Sequence, residues 1–407
     1  MKILVLNAGS SSQKCSLFQI ADSIPAAPPD PLWQAEIDWS GVGAAGSELR
    51  LENSSGAKST ETVSVTKHTD AIGKMLEHLW SGSTKVIASP RDMDVVGHRV
   101  VHGGAELVKP TRVTPEIKNA ILKLSELAPL HNRIQVDCIN AVEKQLGAVP
   151  QVAVFDTAFH AHMPIEAAVY PGPYEWLGEG IRRYGFHGIN HQYCAERAWQ
   201  ILKEKAPALR LISCHLGNGC SLAAIRGGRS LDTTMGFTPL DGIMMGTRSG
   251  SVDPGILIYL MKKYGSNADD LDQILNRKSG LLGISGLSND MREILSAKNR
   301  GNHRAALAFD IFIHRLRSGI GSMLAALGGL DALIFTAGIG ENSPDVRFAA
   351  CAAFDFLGIK LDQERNLLSP RDQDISTSDS RVRVLIIRAQ EDWAIARDCW
   401  KLINDSI

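Results

Sequence analysis

The feature that most constrains the fold is a strand–turn–strand unit that occurs twice. An apolar segment, a glycine-containing polar turn and a second apolar segment follow one another in ILVLNAGSSSQKCSLFQI (3–20) and again in LRLISCHLGNGCSLAAIRGG (209–228). The copies are about 210 residues apart, and such a repeat indicates a duplicated domain. A third unit, DALIFTAGIGENS (331–343), follows a helical segment at 303–327 and has the strand, glycine loop and helix order of a nucleotide site. The alternation of strands and helices predicts α/β layers.

Composition and charge narrow the class of protein. The 407 residues are enough for two domains, or three, and 44% hydrophobic and 21% charged residues are near the globular average. The net charge is −1, so we expect neither nucleic acid nor a membrane surface as partner. The seven cysteines form no CxxC pair, which favours reduced thiols over disulfides or a zinc site. Because Asn7 interrupts the first apolar run, we expect no signal peptide and a soluble, cytoplasmic protein.

The rest of the chain can be divided into elements by pattern. Residues 21–60 are rich in Pro, Gly and Ser and predict hairpins and loops at a sheet edge. Helices are predicted at 68–80, at 191–205 and after Thr114, which is an N-cap followed by proline. A short strand followed by a glycine turn is predicted within 93–104, and a buried strand within 151–160. The tail, 382–402, predicts a strand, an acidic turn and a helix.

Three glycine-rich turns, at 7–13, 215–219 and 338–342, follow apolar strands. Glycine lets the backbone approach a ligand closely, and the exposed N–H groups can bind an anion. Ordinary hairpin turns are the alternative for any one of them. Three such turns beside charged residues favour phosphate binding.

Polar side chains stand where apolar strands are expected to stop, at Asn7, Asp156 and Glu391. In α/β folds ligands bind at the carboxyl ends of strands, and oxygen ligands there suit Mg²⁺, which retains several waters. The alternative is that these residues only cap strand ends.

Isolated cations and histidines complete the candidate set. Lys14, Arg99 and Arg248 lie in apolar or glycine-rich segments, where a cation needs a carboxylate or phosphate partner. A buried structural ion pair is the alternative, less favoured for Arg248 because turn-forming residues flank it. His187 and His215 lack metal-ligand spacing and suit hydrogen-bond donation to phosphate. We expect structural roles for the remaining candidates, His98, His102, His131 and His160.

These segments together closely resemble the acetate kinase family over essentially the full length. The matching segments are LNAGSSSQK, GHRVVHGG, LAPLHN, FDTAFH, RRYGFHG, HLGNG, DTTMGFTPLDGIMMGTRSGSVDPG and GIGEN, in the family's order. The family belongs to the actin, sugar-kinase and heat-shock-chaperone superfamily. The resemblance implies an α/β fold of two duplicated ribonuclease-H-like domains, with the nucleotide in the cleft between them. It implies an N-terminal domain of residues 1–156 joined by the helix at 391–407, and a C-terminal nucleotide-binding domain of residues 157–390.

The resemblance also implies a reaction, ATP + acetate ⇌ ADP + acetyl phosphate, in the cytoplasm and by a homodimer. Acetate is already ionised, so catalysis needs positioning and charge neutralisation more than proton removal. The implied catalytic residues are Asp156, as an essential acid or metal-site residue, with Arg248 and His187 at the transferring phosphoryl group. Arg99 would hold the acetate carboxylate, and Asn7 and Glu391 would lie at Mg²⁺, for which Mn²⁺ can substitute. The implied ATP-binding residues are Lys14, His215, Leu216, Gly217, Asn218, Gly219, Asp290, Met291, Arg292, Gly338, Ile339, Gly340, Glu341 and Asn342.

Three segments depart from the family pattern. LAPLHNRIQ stands where the family usually has LAPLHNPAN, GFHGINH where it has GFHGTSH, and AQED where it commonly has TNEE. The first change lies near the expected acyl group, so a propionate or other short-chain acyl kinase is an alternative. A pyrophosphate-linked kinase is less favoured because GIGEN is retained. A nucleotide-switched chaperone or scaffold would turn over ATP slowly without a carboxylate acceptor.

Overall fold

The chain consists of two compact units. The computed structural model describes residues 1–8, 12–38, 46–64, 68–126, 132–203 and 209–405. Unit 1 comprises residues 1–158 and 390–407, and unit 2 comprises residues 159–389. The expected boundaries, after residue 156 and before residue 391, differ from these by two residues and by one. The HNRIQ departure and the LAPLHN segment fall partly on 127–131, and part of the first glycine turn falls on 9–11, so these, with His131, lie outside the described residues.

The elements follow the alternation expected from the sequence. The strands are β1 (Lys2–Ala8), β2 (Ser12–Gln19), β3 (Trp33–Asp38), β4 (Ser47–Asn53), β5 (Lys58–Val63), β6 (Val95–Val100), β7 (Thr111–Arg112), β8 (Gln151–Phe155), β9 (Arg210–Leu216), β10 (Cys220–Arg226), β11 (Arg229–Thr233), β12 (Ala332–Thr336), β13 (Gln373–Asp374) and β14 (Arg383–Ile386). The helices are α1 (His68–Glu77), α2 (Pro115–Lys123), α3 (Asn132–Leu146), α4 (Ile165–Ala168), α5 (Glu175–Gly178), α6 (Gly188–Leu202), α7 (Pro254–Tyr264), α8 (Ala268–Arg277), α9 (Gly280–Ser285), α10 (Met291–Asn299), α11 (His303–Leu327), α12 (Ala337–Asn342), α13 (Pro344–Ala352), α14 (Gln363–Leu368) and α15 (Glu391–Asn404). Short 3₁₀ turns occur at Pro90–Asp92, Leu124–Glu126, Ala158–His160 and Asp355–Leu357.

Unit 1 is built on a sheet with the strand order β5-β4-β3-β2-β1-β6-β8-β7. Strands β5 to β1 are antiparallel neighbours, whereas β1, β6 and β8 are parallel, and β7 is antiparallel to β8. All five residues of β8 are buried, as is typical of a parallel strand covered on both faces. The polar region 21–60 contributes β3, β4 and the start of β5 at one side of the sheet, so the prediction of edge hairpins is confirmed for the described residues.

Unit 2 repeats this topology. Its sheet has the order β11-β10-β9-β12-β14-β13, with β11, β10 and β9 antiparallel, β9, β12 and β14 parallel, and β13 antiparallel to β14. The series β3-β2-β1-β6-β8-β7 in unit 1 has the same order and the same pairings. The two strand–turn–strand segments are β1–β2 and β9–β10, the equivalent hairpins of the two sheets. The predicted duplication is therefore confirmed.

Two local predictions need correction. Residues 338–342 form most of helix α12 rather than a glycine turn, and Ala337 at its start has φ = 64°. Glu391 is the first residue of α15, five residues beyond the end of β14 at Ile386, and therefore does not end a strand. The predicted N-cap is confirmed: Thr114 caps α2, with its Oγ1 accepting a hydrogen bond from the Ile117 N–H at 3.3 Å. All seven cysteines are free and buried, and no helix among the described residues is long and apolar enough to cross a membrane.

Helix α15 closes unit 1 by packing against the sheet. A Cβ atom built on Gly97, in β6, would lie 2.6 Å from Cys399 Sγ and 2.7 Å from Ile395 Cγ2. Only glycine therefore allows the helix to lie this close to the strand. This packing brings the N-terminus of α15, with Glu391, to the residues at the end of β1.

Candidate active site

Neighbouring strands of unit 1 bring Asn7, Arg99 and Asp156 together. Asn7 is near the end of β1 and Arg99 near the end of the parallel strand β6. Asp156 directly follows β8, and its backbone N–H donates to the carbonyl of Val100 in β6 at 2.9 Å. The carboxyl ends of three parallel strands therefore place these side chains at one edge of the sheet, as the sequence predicted for Asn7 and Asp156.

Arg99 and Asp156 form a buried ion pair. The Nη2 atom of Arg99 is 2.6 Å from Asp156 Oδ2, and Nε is 3.1 Å from both carboxylate oxygens. The side chains are 13% and 1% exposed, respectively. The remaining terminal nitrogen, Nη1, donates to Asn7 Oδ1 at 3.0 Å and lies 3.4 Å from Glu391 Oε2. The alternative of a structural ion pair thus describes Arg99 as it stands in this structure.

The N-terminal turn of α15 adds two further carboxylates. Asn7 Nδ2 donates to Glu391 Oε2 at 3.2 Å and to Asp392 Oδ1 at 2.9 Å. Ser16 Oγ, from β2, donates to Asp392 Oδ2 at 2.7 Å. We call Asn7, Arg99, Asp156, Glu391 and Asp392 the acidic cluster of unit 1. With three carboxylates around one guanidinium, the cluster has a surplus of negative charge.

Burial and charge set the protonation of the acidic cluster. Burial acts to lower the pKa of Arg99, but the charges of Asp156 and Glu391 outweigh it and hold this pKa above its ordinary value. Burial raises the pKa of Asp392, while the hydrogen bonds from Ser16 and Asn7 oppose that change. The guanidinium therefore stays charged. A further cation would offset the remaining carboxylate charge.

The donor set fits a magnesium ion held by few protein ligands. Mg²⁺ takes one or two protein oxygens and completes its shell with water and phosphate. Carboxylate and amide oxygens are the donors that the acidic cluster offers. Among the residues that the structure describes, no group of three or more His, Cys, Asp or Glu side chains is arranged to hold a metal ion. A site that uses few protein ligands agrees with both observations.

Lys14 lies apart from the ion pairs of the acidic cluster. It is the third residue of β2, and its side chain is 57% exposed. Its Nζ is 3.7 Å from Glu36 Oε1, a contact that two exposed side chains make at little gain in stability. The ammonium can therefore turn towards another anion at small cost.

In unit 2, a set of histidines surrounds the hairpin β9–β10. His187 has φ = 57° immediately before α6, and its Nδ1 is 2.9 Å from Ser221 Oγ in β10. His191, in α6, contacts the same hydroxyl through Nε2 at 2.8 Å and Ser213 Oγ through Nδ1 at 2.9 Å. We call His187, His191 and His215, with the side chains that bond them, the histidine cluster of unit 2.

His215 connects this cluster to the glycine turn. Its ring stacks on that of His187, with centroids 4.0 Å apart and planes 14° from parallel. Its Nδ1 is 2.8 Å from Asn190 Nδ2. A Cβ built on Gly217 would lie 3.7 Å from His215 Nε2, so this nitrogen faces the 217–219 turn. Burial lowers the pKa of His191 well below its ordinary value, so that ring is neutral.

Arg248 lies beside His187 at the same turn. A Cβ built on Gly219 would be 3.4 Å from His187 Cε1 and 3.5 Å from Arg248 Nη1. Nη1 also donates to the carbonyl of Pro239 at 3.2 Å, and no carboxylate within the described ranges forms an ion pair with this guanidinium. Burial lowers the pKa of Arg248, the effect expected of a cation without an opposite charge. Arg248 is thus suited to an anionic ligand, in contrast to Arg99.

The remaining predicted nucleotide contacts lie in three parts of unit 2. Asn218 Oδ1 accepts a hydrogen bond from Asn289 Nδ2 at 3.2 Å, which connects the hairpin turn to the segment before α10. Asp290 caps α10, accepting from the backbone N–H of Arg292 at 2.8 Å, and the Arg292 side chain is exposed. Leu216 and Met291 are buried, so they can offer a ligand only backbone atoms.

Helix α12 is fixed by side chains rather than by its glycines. Glu341 Oε1 accepts hydrogen bonds from the backbone N–H groups of Ala337 at 2.9 Å and Ala389 at 2.8 Å. The buried Arg347 donates to the carbonyls of Gly340 at 2.8 Å and Glu341 at 2.9 Å. The carboxylate of Glu341 therefore has a structural task. The residues of α12 that remain for ligand contact are Gly338, Ile339 and Asn342; a Cβ on Gly338 would meet no atom within 4 Å.

Sequence comparison identifies the family. A sequence model of the acetokinase family matches residues 2–397. The chain belongs to the acetokinase family. Curated acetate kinases from Cyanothece sp. and Gloeobacter violaceus are 57% and 58% identical to it over 404 and 403 residues, covering 99% and 98% of this chain and 99% of each relative.

Solved structures agree with this assignment. The acetate kinase of Porphyromonas gingivalis has a TM-score of 0.89 at 40% identity, covering 99% of both chains. A propionate kinase from Francisella tularensis has a TM-score of 0.88 at 35% identity, covering 98% of both chains. The two units therefore have the duplicated actin-like fold of this family.

Several residues of both clusters were missed by sequence reasoning. Asp392 is adjacent to a predicted residue, but an acidic pair at a helix start is common for electrostatic reasons alone. Ser16 and Ser221 occupy alternating positions of apolar strands, where nothing distinguishes them from core serines. The INH departure from the family motif was the one signal that pointed to Asn190. His191 ends the same segment.

The structural roles expected for other histidines agree with the structure, which bonds His98 to Gln151 at 2.6 Å, His102 Nδ1 to the N–H of Gly104 at 2.9 Å, and His160 to Ser230 at 2.8 Å.

Proposed function

We propose that the chain catalyses reversible phosphoryl transfer between ATP and acetate. A carboxylate oxygen of acetate forms a bond to the γ-phosphorus, the bond from that phosphorus to the β,γ-bridging oxygen breaks, and ADP leaves with the electron pair. The observation that carries the proposal is the acetokinase match over residues 2–397, together with full-length relatives named acetate kinase. The alternative of a chaperone or scaffold has no such support.

The proposed stabilisation of the phosphoryl group comes from unit 2. A loose, metaphosphate-like transition state carries negative charge on its equatorial oxygens, which preorganised donors can meet. Arg248 has no carboxylate partner in the described ranges and faces the Gly219 backbone together with His187. His215 would add a donor at the same turn. The contact with Ser221 Oγ and the stacking on His215 hold the His187 ring in place.

The proposed acetate and metal contacts come from unit 1. Arg99 is the candidate for the acetate carboxylate. Asp156 engages Nε and Nη2, so acetate would bind at Nη1 and take the place of the Asn7 Oδ1 contact there. Asp156 would then orient the guanidinium besides neutralising it. Acetate is ionised at neutral pH, so this proposal requires no general base.

Mg²⁺, for which Mn²⁺ can substitute, is proposed at Asn7 and Glu391 within the acidic cluster. When bound, the metal neutralises phosphate charge in transfer reactions of this kind. Asp392 holds Asn7 Nδ2 and Ser16, so its contribution is to orient the amide. A metal there would relieve the surplus of carboxylate charge described above.

The second candidate function is a propionate kinase. It is favoured by the structural match to the Francisella propionate kinase and by the RIQ segment that replaces the family's PAN. In that segment, Gln135 Oε1 accepts a hydrogen bond from the backbone N–H of Val101 at 3.0 Å. The segment thus contacts the residue two beyond Arg99.

A coupled assay of ADP release tests both candidates. With purified enzyme, ATP and Mg²⁺, we expect ADP release to depend on acetate and hydroxylamine trapping to detect acetyl phosphate. Comparing kcat/KM for acetate and propionate decides between the two acyl groups. ADP release that is slow and independent of either carboxylate would contradict the proposal.

We also propose that the chain forms a homodimer, as expected from the family, and that it acts in the cytoplasm. Helix α7 supports a surface for self-association, because none of its residues is buried. Five of its apolar side chains are between 48% and 66% exposed: Ile256, Ile258, Tyr259, Met261 and Tyr264. Soluble monomers rarely expose so much apolar surface in one place.

A further inference from the structure

Asn190 makes a hydrogen bond whose direction has consequences for His215. The amide nitrogen Nδ2 lies 2.8 Å from His215 Nδ1, and both side chains are buried. The Nδ2 atom of Asn190 has two N–H donors and no acceptor lone pair, so it donates this hydrogen bond. The Nδ1 atom of His215 must therefore accept it. A neutral imidazole that accepts at Nδ1 carries its proton at Nε2.

The surroundings of Asn190 agree with this orientation of the amide. Nδ2 is also 3.4 Å from Thr336 Oγ1, and Cys194 Sγ donates to Asn190 Oδ1 at 3.7 Å. Thr336 and His215 are paired residues of the parallel strands β12 and β9. Asn190 therefore contacts side chains from two strand ends and from its own helix.

The other nitrogen of His215 faces the glycine turn. A Cβ on Gly217 would lie 3.7 Å from Nε2, so this nitrogen lies beside the backbone of the 217–219 turn. Other titratable groups around His215 are His187, stacked on it at 4.0 Å, and His191, with its centroid 6.2 Å away. Arg248 lies beside His187 at Gly219. A neutral ring with Nε2–H adds a donor next to these groups without adding a charge.

We propose that Asn190 is a positioning residue that holds His215 in the tautomer with its proton on Nε2, so that Nε2–H donates to the phosphates of the nucleotide. The phosphate contact rests on the proposed function; the tautomer does not. The family motif has serine at this position, and a hydroxyl can either donate or accept. Asparagine therefore specifies in this chain a tautomer that serine would leave open.

Nuclear magnetic resonance tests the tautomer directly. In protein labelled with ¹⁵N-histidine, with the His215 signals assigned by their loss in His215→Gln, we expect Nδ1 unprotonated and Nε2 protonated at neutral pH. A proton on Nδ1 would overturn the proposal. This readout needs no catalytic activity, so it stands even if the chain proves to act on another substrate.

Asn190→Asp tests the consequence for nucleotide binding. The introduced carboxylate keeps the shape of the amide but can only accept, so it requires a proton on Nδ1. At low pH the ring becomes an imidazolium that retains Nε2–H. As the pH rises, the ring loses its Nε2 proton and keeps Nδ1–H, which stays bonded to the introduced carboxylate. The donor to the phosphates is then lost, so the KM for ATP should rise by about tenfold between pH 6 and 8. In wild type the KM should change little over that range.

Gln192→Glu is the matched control, because it places the same charge change at an exposed position of α6. Its pH profile should follow that of wild type. Parallel profiles for Asn190→Asp and Gln192→Glu would overturn the proposal. If Asn190→Asp does not fold, Asn190→Ser replaces it: the His215 signals should then show both tautomers, and an unchanged single Nε2–H tautomer would contradict the role of Asn190.

Discussion

Arg99 and Asp156 form an ion pair in which Nη2 and Oδ2 are 2.6 Å apart, at the ends of the adjacent parallel strands β6 and β8. The two side chains are almost entirely removed from solvent. Removing one partner of such a pair leaves a buried charge uncompensated, which costs more than the pair itself contributes. Substitutions of either residue must therefore be judged on both stability and activity.

Asp156→Asn should reduce both the stability of the fold and the activity. The amide keeps the shape but loses the charge that opposes Arg99, so we expect the free energy of unfolding to fall by about 3 kcal/mol. If Asp156 also contributes to the metal site, kcat should drop by about 10²-fold and half-maximal rate should need more Mg²⁺, with partial recovery at saturating Mg²⁺. Denaturant unfolding and kcat against Mg²⁺ at several pH values measure these effects. An acidic limb that vanishes in the variant, with an unchanged Mg²⁺ requirement, would instead indicate a general base.

Arg99→Ala should mainly raise the KM for acetate. The contact to the substrate carboxylate exists before and during transfer, so its loss weakens binding in both states, and the KM for ATP should move little. We also expect a stability loss of about 3 kcal/mol, because Asp156 is left buried without its partner. The double variant Arg99→Ala/Asp156→Asn is the control, since it removes both charges and should recover part of the stability but none of the acetate binding. An unchanged acetate KM in Arg99→Ala would place the substrate carboxylate elsewhere.

Arg248→Lys should lower activity without the loss of stability expected for Asp156→Asn and Arg99→Ala. Because no carboxylate in the described ranges pairs with Arg248, the substitution breaks no ion pair, and stability should change by less than about 1 kcal/mol. Lysine lacks the planar fork that meets phosphoryl oxygens, so kcat should drop by about 10²-fold with ATP affinity little changed. Arg300→Lys, exposed at the end of α10, is the matched control. A kcat within a few-fold of wild type would remove Arg248 from the transition state.

Much of unit 1's site could be predicted because polarity changes sharply at strand ends. Asn7 and Asp156 each follow buried apolar residues, so both were predicted to stand where a strand stops, at the carboxyl end where ligands bind. The contact of Asp392 with Ser16 spans 376 residues of sequence, and no local pattern specifies it. Packing of α15 on the sheet, which requires Gly97, brings these two residues together.

The glycine turn predicted at 338–342 is instead helix α12, because side-chain hydrogen bonds outweigh the local backbone preference. Two glycines in five residues favour a turn by local preference. In the structure, Glu341 bonds the N–H of Ala337, and Arg347 bonds the carbonyls at the other end, so side-chain hydrogen bonds satisfy both ends of a short helix. Local sequence preference is weak for so short a segment, and these side-chain contacts override it.

Helix α7 allows a test of self-association. Ile258→Glu and Tyr259→Glu place charges on its exposed apolar surface, where a partner would have to desolvate them. We expect each to shift the sedimentation-equilibrium mass from dimer to monomer without lowering the melting temperature of the monomer. Glu293→Lys, exposed on α10, is the control and should leave the mass unchanged. Dimeric variants would exclude α7 as the contact.

The buried histidines predict how stability depends on pH. Burial lowers the pKa of His98 from 6.5 to about 4, although its hydrogen bond to Gln151 opposes the change. Burial likewise lowers the pKa values of His102 and His160 to about 4. The folded protein keeps these rings neutral while the unfolded chain binds protons below pH 6.5. Stability is therefore fully present above pH 6.5 and is lost as the pH falls towards 4.

For one such histidine the loss between neutral pH and pH 5 is about 2 kcal/mol. His98→Gln removes that group, so the free energy of unfolding in urea should fall less steeply with pH than in wild type by about this amount, even though the variant starts less stable at pH 7. His314→Gln, exposed on α11, should keep the wild-type slope. Equal slopes for His98→Gln and wild type would contradict this prediction, because the His98 ring would then already be protonated in the folded protein above pH 5. The bond to Gln151 would in that case be formed by the charged ring.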